Sequence, residues 1–495
     1  MTVRPIDLLD RCAGIRALVL GDPILDSFVV GQATRLCLES PVPVVVKESE
    51  EAAPGGAANV AAGLAGLGAE ASLIGMVGDD VAGRRLRQLL TADGVDTSGL
   101  VIEEGRPTTH KLRVIAGGQY VVRIDEEDLR PAGPASLVDA VRQLRERFAR
   151  ADVVVVADYA GTLMAEPIRE ELARLRRGRP LPLVVDSKDL RRAAGLEPTV
   201  ATPNVEEASA FLGVAVAGEP DIKLLAAGVR ARLNATAAVV TLGARGVMVV
   251  ADRSDPMHIP APRVDVLNAV GAGDSFTCGL ALGLGARAGL HDAVRLGIEV
   301  AAAAVAKPNT AVITAAELRD RVRRTKVVPI EAVARLVESD RAAGRRVVFT
   351  NGVFDLLHAG HADLLRRARA LGDRLVVGVN GDASASRLKG DGRPVMGVAE
   401  RCSLVAGLEW VDLVFTFDEL TAETAVRTLR PDVYVKGDDH DPAKLPEAAA
   451  VRDVGGEIVL LPRSGGGVST TAIIDRIMAF GSRTRTTEVA PDAAR

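Results

Sequence analysis

The stretch Val270-Gly271-Ala272-Gly273-Asp274-Ser275-Phe276 decides how the first half of the chain is read. Three small residues lead into an aspartate, and an apolar helical pattern follows at Phe276, Leu280, Leu282 and Leu284. Glycine permits a tight turn and lets backbone approach a ligand closely. A helix beginning here presents N–H groups without intrahelical partners and the positive end of its dipole, a combination suited to phosphate. Asp274 stands beside that anion site, where a carboxylate can take a proton from an attacking hydroxyl. Taken alone, the stretch reads equally well as a Gly-rich turn capping a helix, so the flanking sequence has to decide.

On its N-terminal side the flanking sequence alternates short apolar runs with amphipathic segments, the rhythm of a parallel α/β sheet. Strands are expected at Ile15–Leu20, Ser72–Met76, Val153–Ala157, Leu183–Val185, Ala238–Thr241 and Val247–Val250, with helices such as Pro134–Phe148 and Pro167–Arg177 between them. Several strand ends carry polar residues: Asp26 after the first, Asp158 and Tyr159, Asp186 and Lys188, Asn204 to Glu207, and Thr241 to Gly246. Polar residues gathered at one edge of a parallel sheet suggest a ligand cleft. Val42–Val46 and Lys111–Arg123 alternate instead, and Gly117-Gly118 divides the latter into a hairpin, so a small sheet projecting from the body is expected. Between them, Gly55-Gly56 opens a helix whose first turn carries Asn59, suited to a polyhydroxyl ligand; a tightly packed Ala/Gly helix is the plainer account.

The bulk numbers narrow the classes. The 495 residues suggest two or three domains, and 48% hydrophobic with 25% charged residues is ordinary for a globular protein. Aromatics are only 3%, so the cores must be built from Ala, Val and Leu. A net charge of −4 gives no reason to expect nucleic acid or an anionic membrane surface as partner. The four cysteines, Cys12, Cys37, Cys278 and Cys402, show no metal-ligand spacing and point to a reducing compartment. No stretch approaches the roughly 18 apolar residues of a membrane span, and the N-terminus lacks a basic-then-apolar signal pattern, so a cytoplasmic protein is expected.

The Gly55-Gly56…Asn59 segment and the Gly271-Ala-Gly-Asp274 segment, in this order and spacing, resemble the two signatures of the ribokinase (PfkB) family of sugar kinases. Asn204-Val205-Glu206-Glu207 resembles that family's N-x-x-E element, which organises magnesium and the nucleotide phosphates, and Thr241-Leu-Gly243…Gly246 its nucleotide-side turn. The resemblance implies Asp274 as the kinase base and the amides of Gly271, Ala272 and Gly273 as an anion hole. It implies Asp26, Gly55, Gly56 and Asn59 on the sugar. Lys188, Asn204 to Glu207, Thr241, Gly243 and Gly246 would serve ATP, with Asn204 and Glu207 reaching magnesium through water. Many members carry Asp three residues before GAGD-Asp's turn begins; this chain has Asn268 there, and no charge-dependent role is assigned to it.

Beyond a charged segment near Arg319–Lys326, a linker and opening helix (Pro329–Ala342) precede a second α/β pattern. Its first strand, Arg346–Thr350, runs into Asn351-Gly-Val-Phe-Asp-Leu-Leu-His358-Ala-Gly-His361. The two histidines could suggest a metal site, but no third ligand is near and Gly360 lies between them at a helix start. Imidazoles there can donate to phosphate oxygens instead. The stretch resembles the H-x-G-H signature of the nucleotidylyltransferase superfamily, and Val468-Ser469-Thr470-Thr471-Ala-Ile-Ile474 resembles its second element, a helix start that binds triphosphate. The resemblance implies His358, His361 and Lys389 as the catalytic set, with Asn351, Gly352, Phe354, Asp355, Arg401 and Ser469 to Thr471 on the nucleotide. Arg463 stands one residue out of the family's register, and no role is given to it.

A PfkB kinase ahead of such a domain resembles the bifunctional heptose kinase–heptose-phosphate adenylyltransferases of ADP-heptose synthesis, with local matches at Lys111-Leu-Arg113, Asp158-Tyr159, Arg387-Leu-Lys-Gly390 and Val435-Lys-Gly437. The expected organisation is a ribokinase-like α/β/α domain with a β lid over 1–320, a linker and helix over 321–344, a Rossmann-like nucleotidylyltransferase domain over 345–480 and a disordered tail over 481–495. The resemblance implies ATP and Mg2+ for both reactions, sugar phosphates as substrates, and a separate phosphatase acting between the steps, since no D-x-D-x-T motif is present. A phosphorylated substrate needs cations away from the reacting hydroxyl, and Lys111, Arg113 and Arg123 on the lid hairpin are candidates if register holds. Exposed lid edges need cover, so a homodimer through the kinase half is expected. Another sugar kinase fused to a cytidylyl- or guanylyltransferase, and a non-catalytic sugar sensor, are the competing readings; a sensor needs neither Asp274 nor the two histidines.

Overall fold

A computed structural model describes residues 5–159, 161–214, 218–252, 254–262, 264–307, 312–324, 326–390, 392–438, 445–462 and 476. The chain divides into two compact units, Met1–Arg319 and Asp320–Arg495.

The first unit is built on a nine-stranded sheet. Its order is Met257–Ile259, Val247–Ala251, Ala237–Thr241, Val200–Ala201, Leu183–Ser187, Val153–Asp158, Arg16–Gly21, Glu70–Val77 and Leu100–Ile102. The seven strands from Ala237–Thr241 onward run parallel, and two antiparallel strands close the other edge. Central parallel strands are covered on both faces, so they read as unbroken apolar runs rather than alternating ones. The four valines Val153 to Val156 are all buried accordingly. One face packs on Leu144, Ile168, Leu172, Leu225 and Val229 from three helices. The other is covered by the helices Ala57–Gly66 and Ala272–Gly285, with Leu290–Val305 packed on the latter.

The projecting sheet has four strands in the order Pro43–Gly56, Pro23–Leu36, His110–Ala116 and Gln119–Glu126. Two of them are longer than the alternation suggested. The first core strand ends at Gly21, and the chain re-enters at Pro23 as a lid strand, so Asp26 lies in the lid rather than at a core strand's end. Lys111 pairs with Asp26 across one neighbour and with Asp125 across the other, and Arg113 pairs with Arg123. Directly paired residues share a face. Lys111, Arg113 and Arg123 therefore do project from one side of the lid; the register slip falls between Val114 and Ile115, on the far side of them toward the turn.

The second unit carries five parallel strands in the order Leu413–Phe417, Arg374–Asn380, Val347–Gly352, Val433–Gly437 and Glu457–Leu461, the 3-2-1-4-5 order of a doubly wound fold. Its opening helix, Ile330–Ala342, is no mere connection: Val333 and Val337 are buried in the core that holds Phe349, Phe415 and Tyr434. In both units the strands' C-terminal ends, where ligands bind in such folds, carry the polar residues singled out above. Among the described residues, no helix is long and apolar enough to cross a membrane.

Candidate active sites

The helix Ala272–Gly285 starts at the carboxyl edge of the large sheet. Its cap, Gly271, takes φ 79°, a left-handed turn that a side chain would strain, and this brings the first-turn amides to the cleft. Asn268, three residues earlier than Gly271, accepts the Val270 amide at 2.9 Å through Oδ1. That is an Asx turn, which needs an acceptor and not a charge, so Asn serves it as Asp would.

Asp274 is held from two sides. Asn59 donates from Nδ2 to Oδ2 at 2.6 Å, and the Tyr159 hydroxyl donates to Oδ1. Burial raises Asp274 above its ordinary value; the Tyr159 and Asn59 donors and the Lys188 charge oppose that rise, and Asp26 adds to it. Position in the first helical turn favours its ionised form.

Around Asp274 a cleft of about 350 Å³ opens. On its lid side lie Asp26, Lys111 and Arg113, with Gly55, Gly56 and Asn59 beside them. Arg113 pairs with Asp26 at 2.6 Å. A Cβ on Gly55 would stand 2.3 Å from Asp26 Oδ2, so only glycine lets the strand pass that carboxylate. Lys111 makes no ion pair among the described residues and lines the cleft. Arg123 does not line it; its guanidinium is tied to Asp125 at 2.5 Å on the outer strand.

The opposite wall holds Lys188, Asn204, Glu207 and Thr241. The N-x-x-E element is a capping box: Asn204 Oδ1 accepts the Glu207 amide at 2.8 Å, and Glu207 Oε2 accepts the Asn204 amide at 2.9 Å. Lys188 binds Glu207 Oε1 at 2.6 Å. Glu206 points to solvent and Val205 packs on the core, so neither faces the cleft. Gly243 and Gly246 shape the turn after Thr241 without lining the cleft. Among the residues outside the expected site set that line it are the titratable Tyr159 and Asp186. Burial, then the nearby Asp274 and Glu207, push the Asp186 carboxyl up to about 7. Both stood at strand ends in the sequence, which was the available signal.

In the second unit His358 caps the helix Ala359–Arg369 behind the central strand. The His358 and His361 rings stack with centroids 3.9 Å apart, and Phe354 backs His361 at 5.2 Å. Asn351 at the strand's end accepts from the Tyr434 hydroxyl at 2.6 Å, and Lys436 reaches its carbonyl at 3.4 Å. Three residues expected on the nucleotide, Phe354, Asp355 and Arg401, are buried. Asp355 accepts from Arg393, from the Val395 amide at 2.6 Å and from the Met396 amide at 3.3 Å. Arg401 is fully buried: it donates to the carbonyls of Val353 at 2.6 Å, Asn380 at 2.8 Å and Met396 at 3.0 Å, and to Asp382 at 2.6 Å. A guanidinium so enclosed ties two strand-end loops together and is not presented to a phosphate. Lys389 is exposed at the far end of the helix Asp382–Lys389, and no described contact joins it to the histidines. Arg463 and Ser469 to Thr471 lie outside the described residues.

Residues 26–316 match the model of the pfkB family carbohydrate kinases, and residues 349–476 that of the cytidylyltransferase-like family. Over its whole length the chain is similar to the bifunctional protein HldE of Caulobacter vibrioides, 40% identical over 475 residues, covering 94% of this chain and 97% of that one. HldE of Geobacter sulfurreducens is 37% identical over 483 residues, covering 96% and 98%. The chain belongs to the HldE family. It is a carbohydrate kinase joined to a nucleotidyltransferase. Among solved structures, phosphofructokinase-2 from Escherichia coli in complex with substrates and products is 24% identical with a TM-score of 0.50, covering 62% of this chain and 97% of that one. A putative ribokinase from Agrobacterium tumefaciens is 22% identical at 0.51, covering 63% and 99%. Both show the ribokinase-like fold of the first unit.

Proposed function

We propose the following division of chemistry between the two HldE-family sites. The first unit phosphorylates D-glycero-β-D-manno-heptose 7-phosphate at O1, and the second transfers an adenylyl group from ATP to heptose 1-phosphate, giving ADP-heptose and pyrophosphate. The observation that carries the kinase half is the base itself: Asp274 sits at a helix start, oriented by two donors, in a cleft with Lys111 on one wall and the Glu207 capping box on the other. Asp274 takes the proton of the sugar hydroxyl, whose oxygen attacks the γ-phosphorus. The first-turn amides stabilise the charge spreading over the transferred group. Lys111 supports binding of the 7-phosphate, because the cleft's other cations, Arg113 and Lys188, already have carboxylate partners.

Magnesium would enter on the nucleotide, where it neutralises phosphate charge. The residues fit that mode: both Glu207 oxygens already accept one bond each, and no cluster of three or more His, Cys, Asp or Glu side chains among the described residues could cage an ion. Asn204 and Glu207 would thus meet its waters.

In the second unit, the stacked histidines at a helix start would hold the α-phosphate and the departing pyrophosphate as the sugar phosphate attacks. Lys389 would join them on the phosphates. The 1,7-bisphosphate must lose its 7-phosphate between the two steps, which calls for a separate phosphatase. Dependence on ATP and sugar phosphates supports a cytoplasmic setting. The lid supports a homodimer: its edge strand Gln119–Glu126 exposes Tyr120, Val122 and Ile124. Mass spectrometry of the products from heptose 7-phosphate and ATP tests the reading. A 1,7-bisphosphate alone, becoming ADP-heptose once a phosphatase is added, is expected; no bisphosphate, or transfer from CTP or GTP in preference to ATP, would overturn it.

A further inference from the structure

We propose that Tyr159 is a positioning residue for the kinase base, and that Asp22 holds Tyr159 in place. Tyr159 follows the core strand Val153–Asp158 and lines the cleft. Its hydroxyl donates to Asp274 Oδ1 while Asn59, from a different helix, donates to Oδ2. One donor fixes a carboxylate's position loosely; two, from opposite elements and on different oxygens, fix its rotation as well. The turn that carries Tyr159 is itself fastened by one buried carboxylate. Asp22 accepts the amides of Tyr159 at 2.9 Å, Gly161 at 3.0 Å and Thr162 at 3.2 Å, together with the Thr162 hydroxyl. Asp22 stands at the end of the strand beside Tyr159's own, so the relay runs from one sheet strand through a turn to the base.

The electrostatics give the relay a second consequence. Asp26, Lys111 and Arg113 from the lid, Asp186 and Lys188 from the strand Leu183–Ser187 and the residues after it, and Glu207 from its helix face the same cleft, and Cys278 lies on Asp274's own helix. Arg113 is paired with Asp26 and Lys188 with Glu207. A neutral donor on Asp274 therefore adds to what the paired Lys188 charge does: it favours the ionised form of the base against burial and the carboxylate of Asp26. During transfer the sugar O–H bond breaks and its proton goes to Asp274. The new O–P bond forms as the bond to the β-phosphate oxygen breaks, its electron pair leaving with ADP. Tyr159 keeps its own proton throughout; burial and the neighbouring Asp274 and Asp186 hold the phenol well above its ordinary value.

The inference rests on Asp274 being the base, and the two can fail separately. In the full-length protein, Tyr159→Phe is expected to lower kinase kcat roughly ten- to hundredfold, the weight of a hydrogen bond to a charged group. The KM values for ATP and sugar phosphate should stay within about twofold, and the acid limb of the kcat–pH profile should move up by about one pH unit. Replacing the tyrosines by 3-fluorotyrosine, a stronger donor of nearly the same size, should move that limb down; with only three tyrosines in the chain, Tyr120→Phe and Tyr434→Phe backgrounds isolate the effect. Circular dichroism melting checks that each variant is folded. A Tyr159→Phe enzyme with unchanged kcat and a superimposable acid limb overturns the proposal, as does a loss of activity confined to KM. A fluorotyrosine enzyme whose limb does not move overturns it even where the phenylalanine variant does not fold. Full activity in Asp274→Asn would instead overturn the base assignment beneath it.

Discussion

Both units place a helix start behind the end of a parallel strand, yet they use the polar residues around it in opposite ways. In the kinase unit, Asp26, Asn59, Lys111, Glu207 and Asp274 stand around an open cleft and line it with charge. In the nucleotidyltransferase unit, Asp355 and Arg401 lie beneath the surface and hold the loops that frame the histidines. A charged residue near a phosphate motif can thus be a lip or a buttress. Sequence spacing is the same for both; burial and the count of internal partners tell them apart.

The contrast can be broken most forcefully at the two charges that define it. Asp274→Asn removes the base and should cut kinase turnover by about 10²–10⁴-fold. Pyrophosphate release from ATP and sugar 1-phosphate should continue, since that site belongs to the other unit. Retained phosphorylation would mean the cleft works without its carboxylate. Arg401→Met should do the reverse kind of damage. It leaves the carbonyls of Val353, Asn380 and Met396 without their donor, and a buried acceptor left unsatisfied costs roughly 1–3 kcal/mol, whereas Asp382 is half exposed and rehydrates. Chemical denaturation should show that loss in the second unit's transition. Unchanged stability with a raised KM for ATP would make Arg401 a lip after all.

How much of this was legible beforehand divides along the same line. The strand ends, the helix starts and the motif residues were readable, because parallel strands declare themselves as apolar runs and a Gly-rich turn before an apolar helix has few alternatives. The long lid strands were not: Pro23–Leu36 and Pro43–Gly56 carry Gly31, Gly55 and Pro54, residues that ordinarily interrupt a strand and that are tolerated here at a register slip and a strand end. Arg401 was read as a phosphate cation because a sequence cannot show which of its neighbours' carbonyls will turn inward. Tyr159 was noticed and left without a role for a similar reason: its partner, Asp274, is 115 positions away.

A smaller effect sharpens the lip side of the comparison. If Lys111 meets the substrate's own phosphate, Lys111→Met should raise KM for the sugar 7-phosphate by about tenfold, the weight of one charge-assisted hydrogen bond. KM for ATP should hold, and Arg123→Met, whose guanidinium is tied to Asp125, should do far less. Equal effects of the two substitutions would return Arg123 to the site and remove the distinction drawn between a cleft cation and an outer-strand ion pair.

The smallest effect concerns Asp186, a carboxylate that the cleft leaves under-compensated. Thr277 donates to it at 3.3 Å, but burial and the neighbouring Asp274 and Glu207 push it up to about 7, from an ordinary value of 3.8. In the unfolded chain it would ionise near that ordinary value. Between the two, the unfolded state has released the proton and the folded state still holds it. Stability is therefore fully present below the lower value and falls as pH rises through the upper one. Asp186→Asn removes this titration and leaves a neutral side chain of the same shape. The variant should melt at the same temperature as the parent near pH 4 and a few degrees higher at pH 8. A melting difference that does not grow with pH would show that Asp186 is as well compensated as Asp355, whose three donors make it part of the buttress in the other unit.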